Sequence, residues 1–147
     1  MKRIFADSSY WIALLNPHDQ LYRSTARLVP QLRRALLVTT DLVLAELLNY
    51  YAPRGSRMRQ AASELVDAIV VDVHVEVAWS DQELFAAGRE LYRHRVDKEY
   101  SVTDCVSMVV MKQGDIVEVL TEDRHFRQEG FRTLLRSRGR LTWRAGR

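Results

Sequence analysis

The chain has 147 residues, 47% hydrophobic and 28% charged, enough to bury one sizeable core and too apolar to stay disordered. No apolar run approaches the roughly 20 residues of a membrane span, and Lys2 and Arg3 lead straight into a short strand pattern, which argues against a secretory signal. The single cysteine, Cys105, excludes an internal disulfide and fits a reducing cytoplasm, and with four histidines it forms no close zinc-ligand spacing. The net charge of +3 is unevenly spread: residues 1–123 hold 14 basic and 18 acidic side chains, whereas residues 124–147 hold eight Arg against Glu129 alone. Of 22 basic residues, 19 are Arg, the better fork for phosphate oxygens. Such an end either meets a polyanion or is a solvated terminus.

Taken in order, Ile4–Ala6 reads as a first strand that stops on Asp7. Ser8 or Ser9 then caps a helix through Leu15, which Asn16-Pro17 ends. A second helix is expected from about His18 to Arg34, with Pro30 ending or bending it, and Leu36–Thr39 as a buried strand. Thr40 or Asp41 caps a helix to Tyr51 that is apolar nearly all round, so it should be buried, with Glu46 an expensive carboxylate held inward. Leu42, Ala45, Glu46 and Asn49 share one stripe of it.

Residues 57–68 suggest an amphipathic helix and Ile69–Val73 a third strand. Ser80-Asp81-Gln82-Glu83 reads as a capping box opening a helix to about Arg95, and Asp97–Tyr100 as a charged connection. Ser101–Met111 is again nearly all apolar with an acid near its start, Asp104, closed by Gly114. Ser-x-x-Asp is also a capping-box pattern, so Asp104 has a purely structural reading. Ile116–Leu120 is a strand followed by Thr121-Glu122-Asp123, a helical turn with His125 and Phe126, and a last short strand at Phe131–Leu135. The expected division is one domain over 1–136 and a basic tail over 137–147.

Strands alternating with helices imply an α/β fold with a mostly parallel sheet of about five strands. If the first strand is central and the Asp123 strand lies beside it across the switch in winding direction, Asp7 and Asp123 face one crevice. Glu46 and Asp104, each about one turn into a helix, can reach the same place. Four carboxylates so placed must take up protons or share a cation. Hard oxygen donors select Mg²⁺ or Mn²⁺, which suits phosphodiester hydrolysis. The other reading is four unrelated acids, two of them turn residues and two of them caps or side chains that reach solvent, as Glu46 could between larger neighbours, and the residues alone leave both open.

Asp7-Ser8-Ser9, Glu46 in its apolar helix, Tyr100-Ser101-Val102-Thr103-Asp104-Cys105, and Leu120–Phe126 with Gly130-Phe131 resemble the PIN-domain ribonucleases, and among them the VapC-type toxins of toxin–antitoxin pairs. The resemblance runs to about Leu135. It implies a three-layer α/β/α sandwich and a Mg²⁺- or Mn²⁺-dependent endoribonuclease, in which a metal-activated water attacks RNA to leave 5′-phosphate and 3′-hydroxyl ends. It also implies a VapB-like antitoxin that blocks the acidic cleft, and a homodimer. Asp7, Glu46, Asp104 and Asp123 match the family's catalytic and metal-binding acids, with Ser8, Thr103 and Thr121 orienting them.

Asp97 reads as a loop residue, Cys105 and Met108 as core, and His125 receives no catalytic role. A haloacid-dehalogenase-type phosphatase would want a second Asp where Ser9 stands, and a flavodoxin-like receiver would need an acidic pair and a late Lys. The alternative from another class is an inactive PIN-fold module that binds RNA or a partner.

Overall fold

The computed structural model describes residues 1–137, so the expected tail lies outside the described residues except for Ser137. Five strands, β1 (Lys2–Ala6), β2 (Ala35–Thr40), β3 (Val75–Ala78), β4 (Glu118–Leu120) and β5 (Arg132–Thr133), form one sheet in the order β3-β2-β1-β4-β5. Every pairing is parallel. The buried faces of β1 and β2 read as continuous apolar runs, Ile4-Phe5-Ala6 and Leu37-Val38, because helices cover both sides. The winding direction reverses at β1, whose neighbours are β2 and β4. Right-handed crossovers therefore place the helices between β1 and β3 on one face and those between β3 and β4 on the other. The result is the expected three-layer sandwich.

The first layer holds α1 (Ser8–Leu14), α2 (Tyr22–Leu32), α3 (Asp41–Tyr51) and α4 (Ser56–Val71). The second holds α5 (Gln82–His94) and α6 (Val102–Gln113), and the short α7 (Arg124–Gln128) follows β4. Gly88 lets α5 and α6 close together, since a Cβ there would lie 2.4 Å from a Val106 methyl. No helix among the described residues is long and apolar enough to cross a membrane.

Several expected elements sit elsewhere. Ile69–Val71 is not a strand but the last turn of α4: Ile69 is buried while Val70 and Val71 face solvent. Asp72 then turns the chain by accepting from the His74 amide at 2.8 Å, and the third strand is Val75–Ala78. Helix α2 starts at Tyr22 rather than His18, because Asn16 and Asp19 hold the preceding turn with side-chain bonds to the His18 and Leu21 amides, and it runs two residues past Pro30.

Asp81, not Ser80, caps α5. Ser80 instead donates to Asp41 at 2.7 Å and ties the end of β3 to the start of α3. Helix α3 is not buried all round: Val43, Leu44, Leu47 and Tyr51 enter the core, while Ala45, Leu48 and Asn49 are exposed. The stripe that carries Glu46 is thus its outer one.

Candidate active site

At the carboxyl edge of the sheet, β1 delivers Asp7 and β4 delivers Thr121 side by side, joined by the Asp7 amide bonding to the Leu120 carbonyl at 3.3 Å. Asp7 occupies the N-cap position of α1, yet its side chain makes no capping bond. Its carboxylate is buried, 5% exposed, and accepts from the Thr121 hydroxyl at 2.9 Å. Thr121 in turn accepts from Ser9 at 3.1 Å and from the Asp123 amide at 3.1 Å. One threonine therefore links the ends of β1 and β4 to the loop that carries the next acid.

The first turn of α6 brings Asp104 to the same place. The capping box is real: Ser101 accepts from the Asp104 amide and Asp104 Oδ2 accepts from the Ser101 amide at 3.1 Å. The same Oδ2 lies 3.1 Å from His125 Nδ1, and Asp123 Oδ1 lies 3.4 Å from that nitrogen while accepting from the His125 amide at 2.9 Å. Asp104 and Asp123 thus each spend one oxygen on the protein. Oδ1 of Asp104 and Oδ2 of Asp123 have no hydrogen bond among the described residues. Asp104, Asp123 and His125 present ligand atoms within 4.8 Å of one another.

Glu46, half-exposed on the outer stripe of α3, completes the ring: the Ser8 hydroxyl stabilises its charge, while Asp104 and Asp123 oppose it. The four acids feel one another. Burial raises the Asp7 carboxyl to about 7, opposed by the Ser8 amide and the Thr121 hydroxyl and reinforced by the charges of Asp104 and Glu46. Burial likewise pushes Glu46 and Asp104 upward, and for Asp104 the His125 and Ser101 hydrogen bonds pull the other way. A cluster of mutually repelling, partly desolvated carboxylates costs stability unless a cation joins it.

The structure brings the four candidate acids to this edge, where Thr121 reaches Asp7 and Ser8 reaches Glu46. Thr103 does not: it is half-buried and makes no side-chain hydrogen bond to any of the four among the described residues. Asp97 is exposed beside Lys98, and Cys105 and Met108 are fully buried in the core. Two participants escaped the sequence reading. Ser9 supports Thr121, and His125 bridges two of the acids, its ring tilted against Tyr100 at 5.3 Å. The signal for His125 was its place two residues after Asp123, where a short helix turns its ring back to the edge.

The chain belongs to the PIN-domain family, whose pattern it matches over residues 4–131. It is 31% identical over 131 residues to the 23S rRNA-specific endonuclease VapC20 of Mycobacterium tuberculosis, covering 87% of this chain and 95% of that protein. Within the family it is thus a homologue of the VapC-type endonucleases. The crystal structure of that protein, described as a Sarcin-Ricin loop cleaving toxin, superposes with a TM-score of 0.77 at 29% identity over 87% of this chain and 95% of that one. The same fold is present in VapBC2 of Rickettsia felis, TM-score 0.63 at 13% identity, covering 89% of this chain and 96% of that one. It recurs in FitAcB of Neisseria gonorrhoeae, TM-score 0.61 at 15% identity with the same coverage.

PIN nucleases use a divalent metal, and the donor set here suits one. It consists of carboxylate oxygens converging from four segments, the end of β1, α3, α6 and the turn before α7, with Asp104 Oδ1 and Asp123 Oδ2 among those free of protein hydrogen bonds among the described residues, and one imidazole at the rim.

Proposed function

We propose that the chain is a Mg²⁺- or Mn²⁺-dependent endoribonuclease and the toxin of a type II toxin–antitoxin pair. The observation that carries this reading is the convergence of Asp7, Glu46, Asp104 and Asp123 on one sheet edge with their carboxyls pushed upward or left partly unpaired. Among the described residues the same edge holds one histidine, His125, and not the pair that a route through the RNA 2′-hydroxyl would use. Asp7 and Asp104 are the metal-holding residues at the buried end, with Glu46 and Asp123 at the open end. When bound, a divalent ion supplies water activation and neutralises charge gathering on the phosphoryl oxygens.

The chain's own residues do the rest. Thr121 fixes which Asp7 oxygen faces the cleft, Ser8 steadies Glu46, and the capping box fixes the rotamer of Asp104. Burial raises the carboxyls of Asp7 and Glu46, so each holds a proton more readily than a free carboxylate until a cation joins the cluster. The product ends are a 5′-phosphate and a 3′-hydroxyl.

The relatives support the substrate class and the antitoxin partner in this reading: one is an rRNA-cleaving toxin, and the fold is shared with a VapBC assembly. Working as a homodimer and in the cytoplasm belongs to the same proposal. The test is cleavage of defined RNAs with Mg²⁺ or Mn²⁺, with and without chelator, by wild type, Asp7→Asn and Asp104→Asn. Loss with chelator and in both variants supports the reading. Activity surviving chelation, or full activity in both variants, contradicts it.

A further inference from the structure

Beside the acid cleft, and sharing Asp123 with it, lies a groove of about 940 Å³ between α7 and β5. Arg124, Arg127, Arg132 and Arg136 line it, together with Phe131. All four arginines are exposed and Phe131 is half-exposed. Arg132 is shared with Glu118 on the far side of β5 at 3.4 Å, and Arg127 only meets the Thr133 hydroxyl at 3.3 Å. Arg124 and Arg136 form no ion pair among the described residues, and residues 138–147 contain no Asp or Glu in their sequence. Glu122, the other acid in the wall, is engaged by the Ser137 amide at 2.7 Å.

A fold does not need this arrangement. Four like charges around one hollow repel one another, and nothing in the core calls for them. Guanidinium groups beside an accessible aromatic ring are the combination that holds single-stranded nucleic acid: forks for the phosphates and a π-face for a base. Position decides between RNA and an acidic protein segment. The groove opens at Asp123, so a strand whose scissile phosphate lies among the acids must run its neighbouring phosphates either into this groove or away from it. Among the described residues, four arginines line the groove that Asp123 shares with the acids.

We infer that this groove is the track for the RNA phosphates flanking the cleaved bond, with Arg124, Arg127 and Arg136 as backbone contacts and Phe131 as a stacking platform. The inference rests on the ribonuclease reading and gives it a direction of approach. These arginines contribute uniform binding: they hold ground state and transition state alike, so their loss raises KM and spares kcat.

The test is a salt series of anisotropy measurements with a fluorescent single-stranded oligoribonucleotide of about ten nucleotides, in chelator so that nothing is cut. It compares wild type with Arg124→Gln, Arg127→Gln and Arg136→Gln, singly and combined, after checking by circular dichroism and melting that each folds. The slope of log K against log salt falls by about 0.7 for each phosphate contact removed, hence by about 2 in the triple variant. With Mn²⁺ restored, KM rises on the order of tenfold while kcat changes less than about twofold. Arg57→Gln and Arg59→Gln on α4, outside the groove, leave the slope unchanged.

An unchanged slope and KM in the triple variant overturn the inference. So does an equal slope loss in the α4 variants, or retained RNA binding with lost binding of a polyglutamate peptide, which would assign the groove to an acidic protein. If wild type binds RNA with the predicted slope loss in the variants but cleaves nothing, the ribonuclease reading fails and the groove stands. If metal-dependent cleavage is intact and the slopes are flat, the groove alone fails.

Discussion

Two acids from opposite ends of the chain, Glu129 and Asp7, are treated in opposite ways. Glu129, just after α7, is almost buried, but it receives Arg95 Nε at 2.8 Å and Lys112 Nζ at 2.6 Å, with the Tyr100 hydroxyl at 3.4 Å. The Arg95 hydrogen bond, aided by Lys112, draws its carboxyl down to about 2 against the cost of burial. Asp7 is more deeply buried, has no cation near it among the described residues, and is driven up to about 7. The first carboxylate fastens α5, α6 and α7 together. The second keeps its charge unsatisfied. A fold that can supply two cations to Glu129 and none to Asp7 is spending stability at the acid cleft, as sites that bind metal do.

The largest break in that contrast comes from removing a charge where the charge is used. Asp7→Asn and Asp104→Asn should each lower RNA cleavage on the order of a thousandfold in Mn²⁺, read from initial rates on a defined RNA. Thr121→Val keeps every acid but frees the Asp7 carboxylate and the Asp123 loop. Its cleavage should fall by roughly 10- to 100-fold, with a weaker Mn²⁺ affinity by calorimetry.

Glu129→Gln acts on the other side of the comparison. It should destabilise the fold by about 2 kcal/mol at neutral pH in urea unfolding and leave metal-induced stabilisation in place. Its pH signature follows from a depressed carboxyl. The stabilisation is fully present above the ordinary value of 4.5 and is lost as pH falls toward about 2. The gap between wild type and Glu129→Gln therefore closes on acidification.

How far the sequence reached depends on how local each signal was. The strand stopping on Asp7, the capping box at Ser101 and the reversal of winding were legible because pattern and turn chemistry agree over a few residues. The third strand was missed because Ile69-Val70-Val71 is β-branched yet only Ile69 finds the core. The real strand, Val75–Ala78, carries a short alternation in which Glu76 points outward to Arg3 at 3.0 Å. Helix α3 misled in a similar way: its apolar composition suggested burial, but it borders a cleft and leaves Leu48 and Ala45 exposed.

At the site, the acids were visible as misfits in apolar surroundings. Thr121 was expected to orient an acid, but that its partner is Asp7, and that His125 meets Asp104, depends on the sheet order. The capping and ligand readings of Asp104 proved compatible, since one oxygen serves the helix and the other remains available.

The central claim is that the Asp7 charge is a cost to the empty fold and an asset to the metal-bound one. Thermal melting of wild type and Asp7→Asn at about pH 8, in chelator and in excess Mn²⁺, tests it most directly. The folded-state carboxyl lies at about 7, above its ordinary 3.8. Its charge therefore costs nothing below pH 3.8, and the cost grows as pH rises through about 7. In chelator at pH 8, Asp7→Asn should be the more stable protein, by up to about 4 kcal/mol. It should lose that lead at pH 4, where the wild-type carboxyl is protonated in the fold. Added Mn²⁺ should raise the wild-type melting temperature and barely move the variant's. A variant less stable than wild type in chelator, or equal Mn²⁺ stabilisation of both, would contradict the account.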